Sequence, residues 1–343
     1  MTVCAECEFV FNAAFDPSLL TYGHNYDNTQ THSPYFATYV DELATLLVNE
    51  NDLRDRRLVE VGCGQGYFLR KLVSLDAANT GVGFDPSYGG PESDLDGRIR
   101  FERRFYGPDC AVPADAVVCR HVIEHVEDPV ALLQSVRGAL EQSPAALVFF
   151  ETPCVEWILQ GGVVGDFFYE HCSLFSEHSL ASAFAAAGFS VRRTRRLFGD
   201  QYLWVEGEPV ADWRMRRWRG RVLELARRFA STEASIKHAL VGKLSDLGRN
   251  SGGIALWGAG AKGSTLANLA DPERHIFDCV VDINPSKHGC FVPGTGHPIV
   301  DFRELPRRGV RHAVLTNPNY RSEIKELLTR ADVDVALLEL ETR

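Results

Sequence analysis

Glu170 and His171 stand side by side in FFYEHCSLF, just beyond the glycine-rich run GGVVG, and together offer a carboxylate and an imidazole. An imidazole titrates near neutral pH and can act as a general base, and an adjoining carboxylate can tune or orient it. Neighbours on an extended strand point to opposite faces, so Glu170 is equally open to a backbone hydrogen bond or to water. As a lone histidine His171 reads as structural or catalytic; closeness to a ligand turn argues for the second. That turn is VEVGCGQGYFLRKL, residues 59–72, in which a β-branched run meets Gly62, Gly64 and Gly66 at alternate positions and continues as a helix. Glycines belong there because a side chain would keep the backbone off a bound nucleoside and because a tight strand-to-helix turn demands positive φ.

The spacing G-x-G-x-G has no phosphate-binding lysine after it and differs from the G-x-G-x-x-G dinucleotide pattern. Gly66 taken singly would also suit close helix packing. Asp85 closes the next apolar run, GVGFDPS, about 20 residues on, where a carboxylate suits the two ribose hydroxyls of a nucleoside. Glu60 precedes the turn, and with Asp85 it completes a pattern that resembles the first motifs of class I methyltransferases, which use S-adenosylmethionine.

The elements that must position these groups follow from periodicity. RRLVEVG, TGVGFDP, DAVVCRH and ALVFFETP read as buried parallel strands separated by helical stretches, an α/β, doubly wound, Rossmann-like sheet over residues 36–206. Ligands of such sheets sit beyond the carboxyl ends of the strands. CRHVIEHVEDP is therefore delivered to the cofactor edge, with His121 and Glu124 as cofactor-edge residues, while His125 and Glu127 are expected on the exposed or capping face of the next helix. Glu151, Thr152 and Pro153 end a further strand on the same edge. A helix is expected over 177–187, capped by Ser176 and stopped by Gly188.

Residues 1–35 are aromatic and polar without clear period, and their tyrosines suit either a lid or surface packing. Cys4 and Cys7 form a C-x-x-C pair at zinc-ligand spacing, but a structural site needs four ligands, and only His24 and His32 lie near enough in sequence to complete it. The half-site is expected to hold no metal. The other cysteines of the nine are dispersed in apparent strands, which argues against a disulfide framework.

Residues 207–250 read as a helical, arginine-rich linker, with the arginines on a solvated face, some of them able to meet a phosphate. A second strand, turn and helix follow within 251–343: GIALWGAGAKGSTLANL sets Gly258, Gly260 and Gly263 in G-x-G-x-x-G spacing, and Asp282 ends the next apolar run. By motif alone this is a dinucleotide site. The chain of 343 residues thus divides into two α/β domains, 45% of its residues hydrophobic and 24% charged. Its net charge of −10 argues against nonspecific binding of nucleic acid or an anionic membrane. No run of 18 apolar residues occurs and MTVCAEC lacks a basic start with an apolar core, so a cytoplasmic location is expected.

The stretch from GIALWGAGAKGS through KHGCFVPGTGHPIVDFREL to AVLTNPNYRSEIKELL resembles the C-terminal domain of sugar C-methyltransferases, and the likeness extends over nearly the entire chain. CAECEFVFN resembles the second half of that family's N-terminal four-cysteine zinc module, whose first C-x-x-C pair this chain lacks; VEVGCGQG resembles its cofactor loop and YEHCSLFSEHSL its catalytic loop. The resemblance implies S-adenosylmethionine as cofactor and a nucleotide-linked keto sugar as substrate. It implies a lid bearing Tyr22 and Tyr26, and a substrate side lined by Gly260, Lys262, Lys287, Pro293, Gly294 and Asn317. It further implies a mechanism in which His171 removes a proton alpha to the ketone, Tyr169 steadies the developing enolate oxygen and Glu170 orients a partner or holds sugar hydroxyls. An O- or N-methyltransferase using the same base stays open, as does a nicotinamide- or nucleotide-binding protein built on the second turn. Oligomeric state is not legible in the sequence.

Overall fold

The computed structural model describes residues 1–20, 30–110, 112–211, 220–250 and 252–339. Tyr22, His24, Tyr26 and most of the basic run RMRRWRGR lie outside them. The chain clusters into two compact units. One comprises residues 1–27, 38–157 and 169–223; the other comprises 28–37, 158–168 and 224–343. Two short stretches that precede the second unit by many residues in sequence, 28–37 and 158–168, thus fold with it.

The first unit is built on an eight-stranded sheet whose order is Phe189–Leu197, Tyr202–Pro209, Leu147–Pro153, Ala116–Arg120, Arg57–Val61, Thr80–Phe84, Ile99–Glu102 and Ser93–Asp94. The five strands from Leu147–Pro153 to Ile99–Glu102 are parallel, and Tyr202–Pro209 runs antiparallel to its neighbours. Covered on both faces, the parallel strands are continuous apolar runs: Leu58, Val59, Val117, Val118, Val148 and Phe150 are all almost wholly inaccessible. Register sets Val61 level with Phe84 on one side and with Cys119 on the other, so the glycine turn, Asp85 and Arg120–His121 emerge at one edge. Strand order reverses there, between Arg57–Val61 and Ala116–Arg120, which is where open α/β sheets bind ligands.

Local chemistry starts the helices where it should. Asp128 accepts from Ala131 N–H and Pro129 follows it as the first helical residue of Pro129–Ala139. The helix Glu177–Ala186 opens on a reciprocal capping box between Ser176 and Ser179, and Gly188 follows it at φ +85°. A small sheet of Thr2–Val3, Val10–Phe11 and Ser173–Leu174 joins the N-terminal segment to the loop that carries Glu170 and His171.

In the second unit five parallel strands lie in the order Ile299–Val300, Cys279–Val281, Gly253–Trp257, Val310–Leu315 and Ala336–Glu339. The long helix Val222–Asn250 puts Leu240 and Leu244 into its core beside Ile254, Leu266 and Val314. Much of the stretch read as a linker is thus a structural part of this unit. Among the described residues no helix is long and apolar enough to cross a membrane.

Candidate active site

The turn that closes Arg57–Val61 holds all three glycines at positive φ: +67° at Gly62, +53° at Gly64 and +76° at Gly66. Their surroundings differ. A methyl added to Gly62 would fall 2.2 Å from Val122 Cγ2, and one on Gly66 would fall 2.4 Å from the Phe101 ring. On Gly64 it would meet nothing within 4 Å among the described residues. Gly62 and Gly66 are therefore packing glycines, whereas Gly64 leaves an open approach to the backbone. Asp85 Oδ2 accepts from Gly64 N–H at 2.8 Å, and its Oδ1 accepts from the amide and hydroxyl of Ser87. The carboxylate so fixed stands beside the open edge. Glu60 serves the turn from beneath: it is buried and accepts from Leu69 N–H at 3.0 Å, and burial pushes its carboxyl up to about 8.

On the other side of the turn lies a buried ionic cluster. Arg120 Nε donates to Glu151 at 2.6 Å, and the guanidinium stacks 4.4 Å from the centroid of Phe68. Tyr39 donates its hydroxyl to the same carboxylate. His121, at φ +53°, sets Nδ1 3.2 Å from Glu124 and Nε2 3.4 Å from Glu151, with its ring edge-on to Tyr202. Thr152 donates to the second Glu124 oxygen at 3.0 Å. Burial opposes charge throughout. The attractions win: Arg120 and His121 hold Glu151 down to about 2, His121 with the two other histidines does the same for Glu124, and the glutamates raise His121 to about 9. Tyr39 is raised as well, by burial and by Glu151.

His171 is largely buried, and its ring lies edge-on to His125 at 4.7 Å. His125 Nδ1 is 3.0 Å from the backbone carbonyl of Glu170. A carbonyl only accepts, so Nδ1 is the nitrogen that carries the proton in this contact. The sequence expectation for His125 is corrected here: it is half-buried within the site rather than on an exposed helix face, because the 3₁₀ turn Ile123–His125 folds it back toward the His171 loop. Glu127 is exposed, as expected. Glu124, His125 and His171 offer ligand-capable atoms all within 4.8 Å of one another, and among the described residues they are the one such group of three. Cys4 and Cys7, both free, gain no third ligand among the described residues. Backbone hydrogen bonds lower the Cys4 thiol, and burial raises that of Cys7.

Tyr169 does something else. Its hydroxyl accepts from Asp16 N–H at 2.8 Å and its ring packs on Phe15, so it fastens the N-terminal segment to the loop. Among the described residues no hydrogen bond of the Glu170 carboxylate accompanies the one its carbonyl accepts.

The second unit repeats the logic of the first turn. Gly258, at φ +110°, donates its N–H to Val281 O, Gly263 packs so tightly that an added methyl would lie 1.8 Å from Gly258 O, and one on Gly260 would meet nothing within 4 Å among the described residues. Asp282 accepts from Ala259 N–H at 2.9 Å and from Lys287 at 3.2 Å. Lys262 is ion-paired with the buried Asp166, 2.7 Å away. Pro293 accepts from Asn268 through its carbonyl, an added methyl on Gly294 would collide with Asn268, and Asn317 caps its own turn through Asn319 N–H.

Comparison with known proteins fits this geometry. Residues 31–194 match the family described as a methyltransferase domain, and residues 217–333 match the one described as a C-methyltransferase C-terminal domain. The first domain is that of an S-adenosylmethionine-dependent methyltransferase. Among curated relatives, the tRNA U34 carboxymethyltransferase of Sulfurimonas denitrificans is 26% identical over 207 residues, covering 52% of this chain and 67% of its own. That of Campylobacter jejuni subsp. jejuni serotype O:23/36 is 26% identical over 121 residues, 31% of this chain and 38% of its own, so this match spans well under half of that relative. Solved structures that resemble the chain include an N,N-8-amino-8-demethyl-D-riboflavin dimethyltransferase from Streptomyces davawensis, with TM-score 0.40, 21% identity, and coverage of 51% of this chain and 55% of that one. Another is the Burkholderia thailandensis 1,6-didemethyltoxoflavin-N1-methyltransferase, with TM-score 0.41, 14% identity, and coverage of 62% and 99%.

The methyltransferase domain takes S-adenosylmethionine as its cofactor. The turn suits it: Gly64 leaves the backbone open and Asp85 is held beside that opening, where a ribose would meet it. The cofactor supplies an electrophilic methyl group on a sulfonium. The protein's task is then to present a nucleophile. Arg120, Tyr39 and His125 were missed as site residues in the sequence, which set Glu151 on the ligand edge but gave it no role. The available signal was an arginine inside the buried run AVVCRH, since such a charge demands a partner.

Proposed function

We propose that the chain is a C-methyltransferase acting on a nucleotide-linked keto sugar. The observation that carries this reading is the set Glu124, His125 and His171, in which two imidazoles lie beside a buried carboxylate held in its ionised form. His171 takes the proton alpha to the ketone, and the charge it gains is met by Glu124, much as a buried carboxylate stabilises the imidazolium of a hydrolase triad. The electron pair of the broken C–H bond becomes an enolate, whose carbon forms the new bond to the methyl as the departing sulfur keeps its own pair. Close approach in line accounts for much of the rate. The match of residues 217–333 to a C-methyltransferase C-terminal domain supports carbon as the acceptor, and the open turn at Gly260 at the start of the helix Ala261–Ala270 suits a phosphate of the nucleotide. With Tyr169 committed to Asp16, it supports the loop in this reading. The net charge of −10 weighs against a nucleic-acid acceptor.

Single-turnover mass spectrometry with methyl-labelled cofactor in deuterated water, against nucleotide-linked 3-keto and 4-keto sugars, tests the proposal. The label is expected on carbon, with solvent deuterium exchanging at that carbon. His171→Asn is expected to lower turnover about 10²- to 10⁴-fold and to leave cofactor affinity nearly unchanged. Label on oxygen or nitrogen would transfer the same base to a hydroxyl or amine acceptor and refute carbon methylation.

A further inference from the structure

His171 heads a short segment whose backbone is bound along its length. Cys172 O accepts from Asn12 N–H at 2.9 Å, Ser173 and Leu174 pair antiparallel with Phe11 and Val10, and Phe175 O accepts from Val155 N–H at 2.8 Å. These bonds fix the course of residues 172–175. They do not set how His171 meets Glu124 and His125, which belong to the turn Ile123–His125, remote in sequence.

Side chains supply that link. Ser173 Oγ donates to Val126 O at 2.7 Å, Cys172 Sγ donates to Glu124 O at 3.7 Å, and His125 Nδ1 is 3.0 Å from Glu170 O. Each bond ends on a backbone carbonyl, so residues 124–126 and 170–173 are laced together on both sides of His171. The three bonds are unequal. A thiol is a weak donor, and His125 is itself one of the groups to be placed. The Ser173 hydroxyl makes the shortest bond, and the residue is 1% exposed, so water does not compete for it and the surroundings strengthen it. Two residues from the base, and paired through its backbone with Phe11, it leaves little slack between the N-terminal strand, the His171 loop and the turn.

We infer that Ser173 is a positioning residue whose hydroxyl holds the His171 loop in register with the turn of Glu124 and His125, and so aims the base. The inference rests on the reading of His171 as the base and adds what sets its direction. Reacting groups must meet at close distance and correct angle, and a misplacement of about 1 Å costs about 10²-fold in rate.

Exchange of the proton alpha to the ketone with deuterated water reads the base without methyl transfer. It is followed by NMR on the full chain with S-adenosylhomocysteine bound and the nucleotide-linked 3-keto and 4-keto sugars in turn. Ser173→Ala is expected to slow exchange at saturating sugar about 10- to 100-fold, while the half-saturating sugar concentration and S-adenosylhomocysteine affinity stay within about twofold of wild type. Ser173→Cys, which keeps a weaker donor in nearly the same volume, is expected to fall between the two. Unchanged exchange in Ser173→Ala, or an equal loss of exchange and of S-adenosylhomocysteine affinity, would make Ser173 a packing residue and overturn the inference. Should Ser173→Ala fail to fold, Ser173→Cys decides: slowed exchange with cofactor affinity held supports the role, and exchange at the wild-type rate rejects it. Failure of the underlying reading looks different, because wild type itself would then exchange no sugar, and the inference would fall with it.

Discussion

Gly64→Ala separates the ligand-facing part of the glycine turn from its packing part. The added methyl meets no atom of the described residues within 4 Å, so the cost to folding among them is confined to placing a non-glycine residue at φ +53°. That cost is about 1–2 kcal/mol, and for a domain of this size it shifts the melting temperature by about 2–8 °C. Gly62→Ala bears the same backbone cost and in addition drives a methyl to 2.2 Å from Val122 Cγ2. Overpacking of that kind adds about 1–3 kcal/mol. Combining Gly62→Ala with Val122→Ala should return most of the second term and none of the first. Binding should rank differently from stability. Gly64→Ala fills the open edge beside Asp85 and should weaken S-adenosylhomocysteine at least about tenfold, or 1.4 kcal/mol, in a domain that still melts cooperatively. Calorimetry and thermal melts on the three variants measure both quantities. Gly64→Ala binding within about twofold of wild type, where twofold is roughly 0.4 kcal/mol, would show that the nucleoside does not use this edge.

Other outcomes follow from the same contacts. A carboxyl raised in the fold from 4.5 to about 8 contributes stability that is complete below 4.5 and lost as pH rises through about 8, so Glu60→Gln, which keeps an acceptor for Leu69 N–H, should gain on wild type across that window. Urea melts on either side of the upper value test this, and a difference independent of pH would be the contrary result. Lys262→Met should cost the second unit about 3 kcal/mol or more by stranding buried Asp166; unchanged stability with lost nucleotide affinity would instead make Lys262 a substrate contact. Tyr39→Phe removes a hydroxyl from Glu151 and should destabilise the first unit by about 1–3 kcal/mol in chemical denaturation. Exhaustive chelation should leave methyl transfer intact if Glu124, His125 and His171 work by proton transfer, and loss restored by a divalent cation would convert that set into a metal centre.

Much of this protein is written in local pattern. Strand–turn–helix order, both glycine turns, the acids Asp85 and Asp282 that follow them, and the Ser176 cap are sequence-local features, because hydrophobic period, positive φ and capping each involve a few neighbouring residues. They determined that two α/β sheets with parallel central strands form, and where each leaves a ligand edge. Tertiary structure alone decided which of the turn glycines is open, since Val122 and Phe101 reach Gly62 and Gly66 from 60 and 35 residues away. It also decided that Arg120, Glu151 and Tyr39 share one buried cluster, that His125 turns inward to Glu170 O, and that Lys262 and Tyr169 are tied to Asp166 and Asp16. Such pairings join residues remote in sequence, and what selects them is the demand that a buried charge or donor find its partner, which no local pattern records.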